Sequence, residues 1–258
     1  MVNFGDALGR AWKYSTNLKR LGIFTLSLII ALAIVLLPLL SVLKNVPPSA
    51  VMLTSVSLLT MIQVFTWLAV GIAIAVLIYL YVMLMFTHNY SNQKSLGKSA
   101  SFAKSRYLRF LGVVIVTGVI SGVVSMVPLI GIVFSIIAGL VFFFVHQEVA
   151  VSDNGISKSL TGSYKLFRKN ILDVMITFVL TAVLSIVIVL IFAIPIFIVG
   201  LTSAISAMAT GNFMSVLMSN LPLFVVTGLI LLVGVSLTML FSNSIRTDVY
   251  MQLKKKRK

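Results

Sequence analysis

The chain has 258 residues, of which 60% are hydrophobic and only 10% are charged. Soluble proteins carry roughly 25% charged residues, so this composition excludes a water-soluble fold. The absence of cysteine excludes disulfides, thiolate metal sites and cysteine nucleophiles. The net charge of +15 would indicate nucleic-acid binding in a soluble protein, but in a membrane protein it is first a topology signal.

Six apolar stretches are long enough to cross a membrane, because a spanning helix needs about 20 predominantly apolar residues. The uncharged run 51–86 exceeds the membrane thickness, so its span is placed from Trp67, a residue type that prefers the membrane boundary. The third and fourth spans form a tight hairpin, since Pro128 ends the first of them. We predict one all-α integral membrane domain over residues 1–258, with spans at 21–43, 67–86, 108–127, 128–145, 171–200 and 221–241.

Lysine and arginine set the predicted orientation, because cytoplasmic loops of membrane proteins are enriched in them. Nineteen of the twenty basic residues lie in the N-terminal segment, the loops after the second and fourth spans, and the C-terminal tail. Lys44 is the exception. This separation predicts a multi-pass protein of the cell membrane with both termini in the cytoplasm.

A basic, amphipathic segment precedes each odd-numbered span, at 8–12, 102–106 and 160–164. We expect these segments to be interfacial helices in the cytoplasmic headgroup layer, which divides the bundle into three hairpin-like units. The spacing between these segments is not constant, so they do not form a fixed-period repeat. The units either share a common ancestor or resemble one another only because loops that enter a membrane have similar sequences.

Two uncharged polar segments, Thr54 to Gln63 and Thr202 to Ser219, lie on the opposite side. They are expected to be half-immersed helices that cover the outer mouth of the bundle, where an amphiphilic ligand could bind. The alternative is that they rest on the outer leaflet.

Small residues recur every four positions in the third and fourth spans. This pattern predicts close packing within that hairpin, although glycine is also common in membrane helices generally. The packing residues are Gly118, Gly122, Gly131, Ser135 and Gly139.

Few residues could support chemistry, and no metalloprotease, phosphate-loop or serine-elbow motif occurs. The candidates form a predicted polar cluster at the cytoplasmic face that could in principle bind a metal, or simply face water and headgroups. Asp173 lies four residues after Lys169, so it is either a snorkelling ion pair or a coupling carboxylate. The cluster comprises His88, His146, Glu148, Asp153 and Asp173. No catalytic residue, cofactor or metal is assigned.

The C-terminal basic run is expected to contact anionic lipid headgroups, at roughly 1 kcal/mol per residue near the membrane surface. Nucleic acid is not the expected partner. The run comprises Lys254, Lys255, Lys256, Arg257 and Lys258.

The segment from Val145 to Asn170 contains the run Val149-Ala150-Val151-Ser152-Asp153-Asn154-Gly155, followed by Ser159-Leu160 and Ser163. It resembles a group of uncharacterised prokaryotic polytopic membrane proteins that includes the membrane domain attached to some glycerophosphodiester phosphodiesterases. The proline that often precedes the valine run is replaced by Gln147-Glu148. The resemblance implies a multi-helix membrane module that acts with lipids or partner proteins, and it carries over no catalytic role.

The sequence therefore predicts a non-enzymatic membrane accessory that binds membrane lipids or a partner membrane protein. A permease or channel for a small or amphiphilic solute is the alternative. Pro38 and Pro195 would support this alternative if they broke their helices around a cavity.

Overall fold

The computed structural model describes residues 2–43, 58–93, 95–127 and 131–255. Within these ranges the chain is all-helical and contains no strand, which confirms the predicted fold class. The helices are α1 (Phe4–Ser15), α2 (Leu18–Leu43), α3 (Leu58–Asn92), α4 (Leu96–Ser125), α5 (Gly131–Val141), α6 (Val145–Ala150), α7 (Ile156–Lys169), α8 (Ile171–Thr210) and α9 (Phe213–Lys255).

Six helical units in the described residues are long and apolar enough to cross a membrane. They are α2, α3, α4, the pair α5 and α6, α8 and α9. Their number agrees with the six predicted spans. The fold is therefore that of a multi-pass helical membrane protein, in which α1 and α7 are the helices that do not span.

The outer polar segments are not separate helices in the described part of the chain. Thr60 and Gln63 lie in the first turns of the continuous helix α3, and Thr202 lies in α8. The connection between α8 and α9 is short because Gly211 ends α8 with φ of 64°, a left-handed conformation that glycine adopts without strain. The prediction of half-immersed covering helices is wrong for these residues, and Thr54 lies outside the described residues.

The three predicted units are not equivalent. The segments 8–12 and 160–164 lie in the separate helices α1 and α7. The segment 102–106, by contrast, is part of the uninterrupted helix α4, because Ser95 caps that helix and no proline follows before its end. The prediction of a separate second interfacial helix is therefore wrong.

The fourth span is interrupted between α5 and α6, and α7 satisfies the backbone groups that the interruption frees. The Ser163 hydroxyl donates to the carbonyl of Val141 at 2.7 Å, while the backbone N–H of Phe144 donates to the same hydroxyl at 3.2 Å. A broken helix in a membrane protein needs such partners, since lipid offers none. The helix α7 is thereby fixed to the bundle.

Side-chain packing is concentrated at one end of the bundle. The helix α1, the C-terminal halves of α3 and α9, the first half of α4 and the helix α6 enclose the fully buried residues Leu84, Phe86, Phe110, Ile245 and Tyr250. Apolar side chains elsewhere on the spans, such as Phe197 of α8, are largely exposed. Such exposed apolar faces are expected where helices contact hydrocarbon.

Glycine packing differs from the prediction. A Cβ atom added at Gly118, Gly122 or Gly139 would meet nothing within 4 Å, so the small faces of α4 and α5 do not pack closely, and the prediction is wrong for these three. Gly131 does lie close, with the added Cβ 2.7 Å from the carbonyl oxygen of Ser125.

The close helix contacts use other glycines. An added Cβ at Gly71 of α3 would lie 3.1 Å from the Cα of Val35 in α2, and at Gly234 of α9 it would overlap the Phe192 side chain of α8. These two positions bring neighbouring membrane helices together.

Candidate functional site

A cavity of about 780 Å³ opens at the packed end of the bundle, between α1, the start of α2 and the ends of α3 and α9. It combines basic side chains with hydroxyl and amide groups. Its lining consists of Arg10, Lys13, Tyr14, Arg20, Asn89, Tyr90, Ser91, Gln93, Asp248, Met251, Gln252 and Lys255. We call it the basic cavity.

Asp248 organises one wall of the basic cavity. Its carboxylate is only 4% exposed and accepts hydrogen bonds from Arg10 at 2.8 and 2.7 Å, from the Tyr90 hydroxyl at 2.6 Å and from Gln252 at 2.9 Å. The hydrogen bond to Asp248 raises the pKa of Arg10 further above its ordinary value. Since Arg10 neutralises it, Asp248 does not offset the remaining cations.

Tyr14 lies at the junction of α1 with α3. Its hydroxyl donates to the Asn89 side chain at 2.7 Å, and the Arg20 guanidinium lies 4.0 Å above its ring in a cation–π contact. Burial raises the pKa of Tyr14, so the phenol stays neutral. Arg20 is thus held against the cavity without a carboxylate partner among the described ion pairs.

The cavity therefore has a positive field. Lys13, Arg20 and Lys255 line it, and Asp248 is the only acidic residue in the lining. Lys13 and Lys255 are exposed. A positive field of this kind attracts anionic groups, and its basic side chains are donors suited to charge-assisted hydrogen bonds with a phosphate.

The two histidines of the predicted polar cluster have separate surroundings. His88 is buried, stacks on Phe102 with 3.9 Å between ring centroids, and places Nδ1 3.3 Å from the Ser99 hydroxyl. His146 packs against Phe110 at 5.1 Å. Both rings thus make packing contacts with α4.

Glu148 is the most enclosed acid of the predicted cluster. Its carboxylate is 3% exposed and accepts from Asn154 at 2.5 Å and from Lys254 at 3.3 Å. It sits directly over Gly162 of α7, where an added Cβ would lie 2.7 Å from the Glu148 Cδ. Glu148 therefore connects α6, α7 and α9.

The other two acids of the predicted cluster, Asp153 and Asp173, make different contacts. Asp153 has a positive φ of 51° and accepts from Arg106 at 2.6 Å and from Arg109 at 2.8 Å, which ties the turn after α6 to α4. Asp173 lies in the first turn of α8, where its backbone carbonyl accepts from Thr177. No group of three or more His, Asp or Glu side chains in the described ranges is arranged to hold a metal ion.

The C-terminal basic run is divided. Lys254 points inward: its Nζ lies 2.7 Å from the Tyr250 hydroxyl and also donates to Ser152 and Glu148. It is therefore not the free lipid contact that the sequence had predicted. Lys255 faces the basic cavity. Lys256, Arg257 and Lys258 lie outside the described residues.

Sequence reasoning missed the Arg10, Tyr90 and Asp248 group, because it treated the segment after residue 241 as a cytoplasmic tail. A signal was present, since apolar residues recur every four positions beyond the predicted span. They are Phe241, Ile245, Val249 and Leu253, all buried. This periodicity indicates a helix that continues into a packed core, which places Asp248 beside α1.

The fold defines a multi-pass helical membrane protein. Residues 126–253, just under half of the chain, match the family described as a domain of unknown function, DUF7847. The matched segment includes Glu148 and Asp248 and ends before the basic run. No curated protein and no solved structure matches the chain. The family match carries no link to the phosphodiesterase membrane domain.

Proposed function

We propose that this protein is a non-enzymatic membrane accessory that binds anionic lipid headgroups in the basic cavity. The observation that carries the proposal is the lining itself, in which Lys13, Arg20 and Lys255 face one cavity while Arg10 neutralises Asp248. These cations would hold a lipid phosphate next to the membrane surface.

The non-enzymatic part of the proposal is supported by the partners of the ionisable groups. Glu148, Asp153 and Asp248 are each engaged by basic side chains, in contacts that join helices. A catalytic acid or base must instead reach a substrate proton. These carboxylates therefore act as structural groups in the proposed account.

The cell membrane and the orientation belong to the proposal as well. The first and last helices pack together, and the Asn3 backbone N–H donates to Gln252 at 2.9 Å. Both ends of the described chain thus lie at the same end of the bundle as the basic cavity. Because basic residues are retained on the cytoplasmic side, we place this end in the cytoplasm.

The permease alternative receives less support. Pro38 and Pro195 lie inside the uninterrupted helices α2 and α8, so neither marks a broken helix. Asp173 does not line the basic cavity. Solute flux through liposomes that contain the purified protein would favour the alternative.

The test is a titration with phosphatidylglycerol, followed by native mass spectrometry. The cavity variant carries Lys13→Gln, Arg20→Gln and Lys255→Gln. The matched control changes three exposed cations of α7 that line no part of the cavity, namely Lys158→Gln, Lys165→Gln and Arg168→Gln. Both variants lose the same charge on the same side.

We expect the cavity variant to bind phosphatidylglycerol at least tenfold more weakly than the native protein, with the control changed by less than about threefold. The binding of phosphatidylcholine should be the same for the native protein, the cavity variant and the control variant. Equal loss in both triple variants would show that only the general surface charge matters, and the proposal would be rejected.

A further inference from the structure

A second polar cavity of about 240 Å³ lies within the spanning helices α3, α8 and α9. It is lined by Tyr79, Met83, Ser185, Thr238, Met239, Ser242, Asn243 and Arg246. It shares no lining residue with the basic cavity. Arg246 is its only charged residue, so this inner cavity is positive.

Arg246 is held in place but is not neutralised. Its guanidinium lies 4.7 Å from the centre of the Phe143 ring, in a cation–π contact. Its Nε is buried and has no hydrogen-bond partner among the described residues. None of the ion pairs in the described ranges includes Arg246, whereas Arg10, Arg106 and Arg109 all reach a carboxylate.

A partly buried guanidinium without a counter-charge is costly, because the charge is largely withdrawn from water without gaining a partner. Such a residue between the helices of a membrane protein is by default a functional-site candidate. The missing partner is an anion, since guanidinium donates hydrogen bonds and accepts none.

We propose that the inner cavity binds the phosphate or carboxylate of an anionic ligand, with Arg246 as the charge partner. The hydroxyls of Ser185, Ser242 and Tyr79 line the same space and can donate to the ligand oxygens. Thr238 is less available, because its hydroxyl donates to the Gly234 carbonyl at 2.9 Å. Asn243 is engaged with Thr87.

The surroundings indicate which source of the anion fits. Ile186 and Leu190, on the flank of α8 next to Ser185, are 59% and 61% exposed, where hydrocarbon would contact them. An anionic amphiphile can place its headgroup in the inner cavity and lay its acyl chains along these side chains. Free inorganic phosphate presents the same charged group without the chains.

The experiment uses Arg246→Gln, which removes the charge, and Ser185→Leu, which fills the inner cavity and leaves Arg246 in place. Arg168→Gln, at an exposed arginine of α7, is the matched control. Each purified protein is titrated in detergent with phosphatidylglycerol, phosphatidylcholine or inorganic phosphate. Bound lipids are counted by native mass spectrometry, and the melting temperature is measured with and without each probe.

We expect Arg246→Gln and Ser185→Leu each to bind one phosphatidylglycerol fewer than the native protein, or to bind it at least tenfold more weakly. Arg168→Gln should match the native protein, and phosphatidylcholine should not replace the lost lipid. If inorganic phosphate alone raises the melting temperature of the native protein but not of Arg246→Gln, the anion is free phosphate rather than a headgroup.

The test of the inner cavity does not depend on lipid binding in the basic cavity. In the background of Lys13→Gln, Arg20→Gln and Lys255→Gln, the Arg246-dependent lipid should remain bound. If that triple variant binds phosphatidylglycerol as tightly as the native protein does, the proposed function is rejected, while the proposal for the inner cavity is unaffected.

The inner site is overturned if Arg246→Gln and Ser185→Leu bind all probes as the native protein does. It is also overturned if Arg246→Gln lowers the melting temperature without lipid while the lipid-induced rise persists, since that pattern belongs to a purely structural arginine.

Discussion

The side chain of Asp248 shows how one acid can fix two ends of the chain to each other. It joins Arg10 of α1 to Tyr90 of α3 and Gln252 of α9, and it is nearly fully buried. The sequence identifies Asp248 as one of only five acids, yet its partners lie 238 and 158 positions away in the chain. Contacts over such separations depend on the completed fold, so spacing alone could not predict them.

Removing this group should uncouple α1 from the bundle. We expect Asp248→Asn to lower stability by about 2 kcal/mol, since it weakens several hydrogen bonds to a charged, buried acceptor. Arg10→Gln should cost less, about 1 kcal/mol, because the Arg10 side chain is 54% exposed and is partly solvated by water. Unfolding of both single variants and the double variant in detergent should give a coupling energy of about 1 kcal/mol, because the double variant should be about as stable as Asp248→Asn alone. Strict additivity would contradict the pairing.

Gly162 allows Glu148 to approach α7. In Gly162→Ala the new methyl group would displace the carboxylate from Asn154 and Lys254, so we expect a loss of about 1 to 2 kcal/mol. Gly9→Ala on α1 is the control, because an added Cβ there meets nothing within 4 Å. The control should gain about 0.5 kcal/mol in the same thermal unfolding assay. A gain in both variants would contradict the packed position of Glu148.

At the scale of helices, the small-residue pattern predicted where backbones could approach but not which helices become neighbours. Gly118, Gly122 and Gly139 face open space, while Gly71 and Gly234 make the close contacts. The long helices α3 and α8 were also underestimated, since a span limit of about 20 residues says nothing of how far a helix continues outside it. For α8 the end is set by the cap at Gly211 rather than by apolar length.

The contact between α8 and α9 can be tested at one position. In Gly234→Ala the added methyl group would overlap the Phe192 side chain near its backbone, so α8 must shift. We expect a destabilisation of about 1 to 3 kcal/mol. Gly228→Ala, six residues earlier on α9 and in open space, is the matched control and should be neutral or slightly stabilising. Unfolding of the two variants in SDS compares them directly, and equal stability would contradict the close contact.

For the whole molecule, composition was enough to predict an all-helical, six-span membrane protein, because apolar length is the strongest constraint that a bilayer imposes. The packed end was not predicted. It depends on α1, α6 and α7 folding back onto α3, α4 and α9, with buried residues such as Asn89, Glu148 and Asp248 satisfied by distant partners. From the sequence alone, the polar residues of this packed end would be assigned to loops that face water.

The proposed orientation predicts opposite labelling of two positions in a chain that has no native cysteine. Asn212→Cys lies between α8 and α9, and Lys158→Cys lies on the exposed face of α7. In right-side-out membrane vesicles, a membrane-impermeant maleimide should label the first and reach the second only after permeabilisation. The reverse pattern would place the basic cavity on the outer side.

The central claim, that the basic cavity holds an anionic headgroup, is tested most directly by photo-crosslinking in bilayers. Phosphatidylglycerol and phosphatidylcholine analogues with a photoreactive group in the headgroup would be compared, with crosslinked peptides mapped by mass spectrometry. We predict that the anionic probe enriches peptides from α1, the start of α2 and the end of α9 at least about fivefold over α7, which carries comparable exposed charge. Equal labelling of α7, or equal labelling by the zwitterionic probe, would contradict the claim.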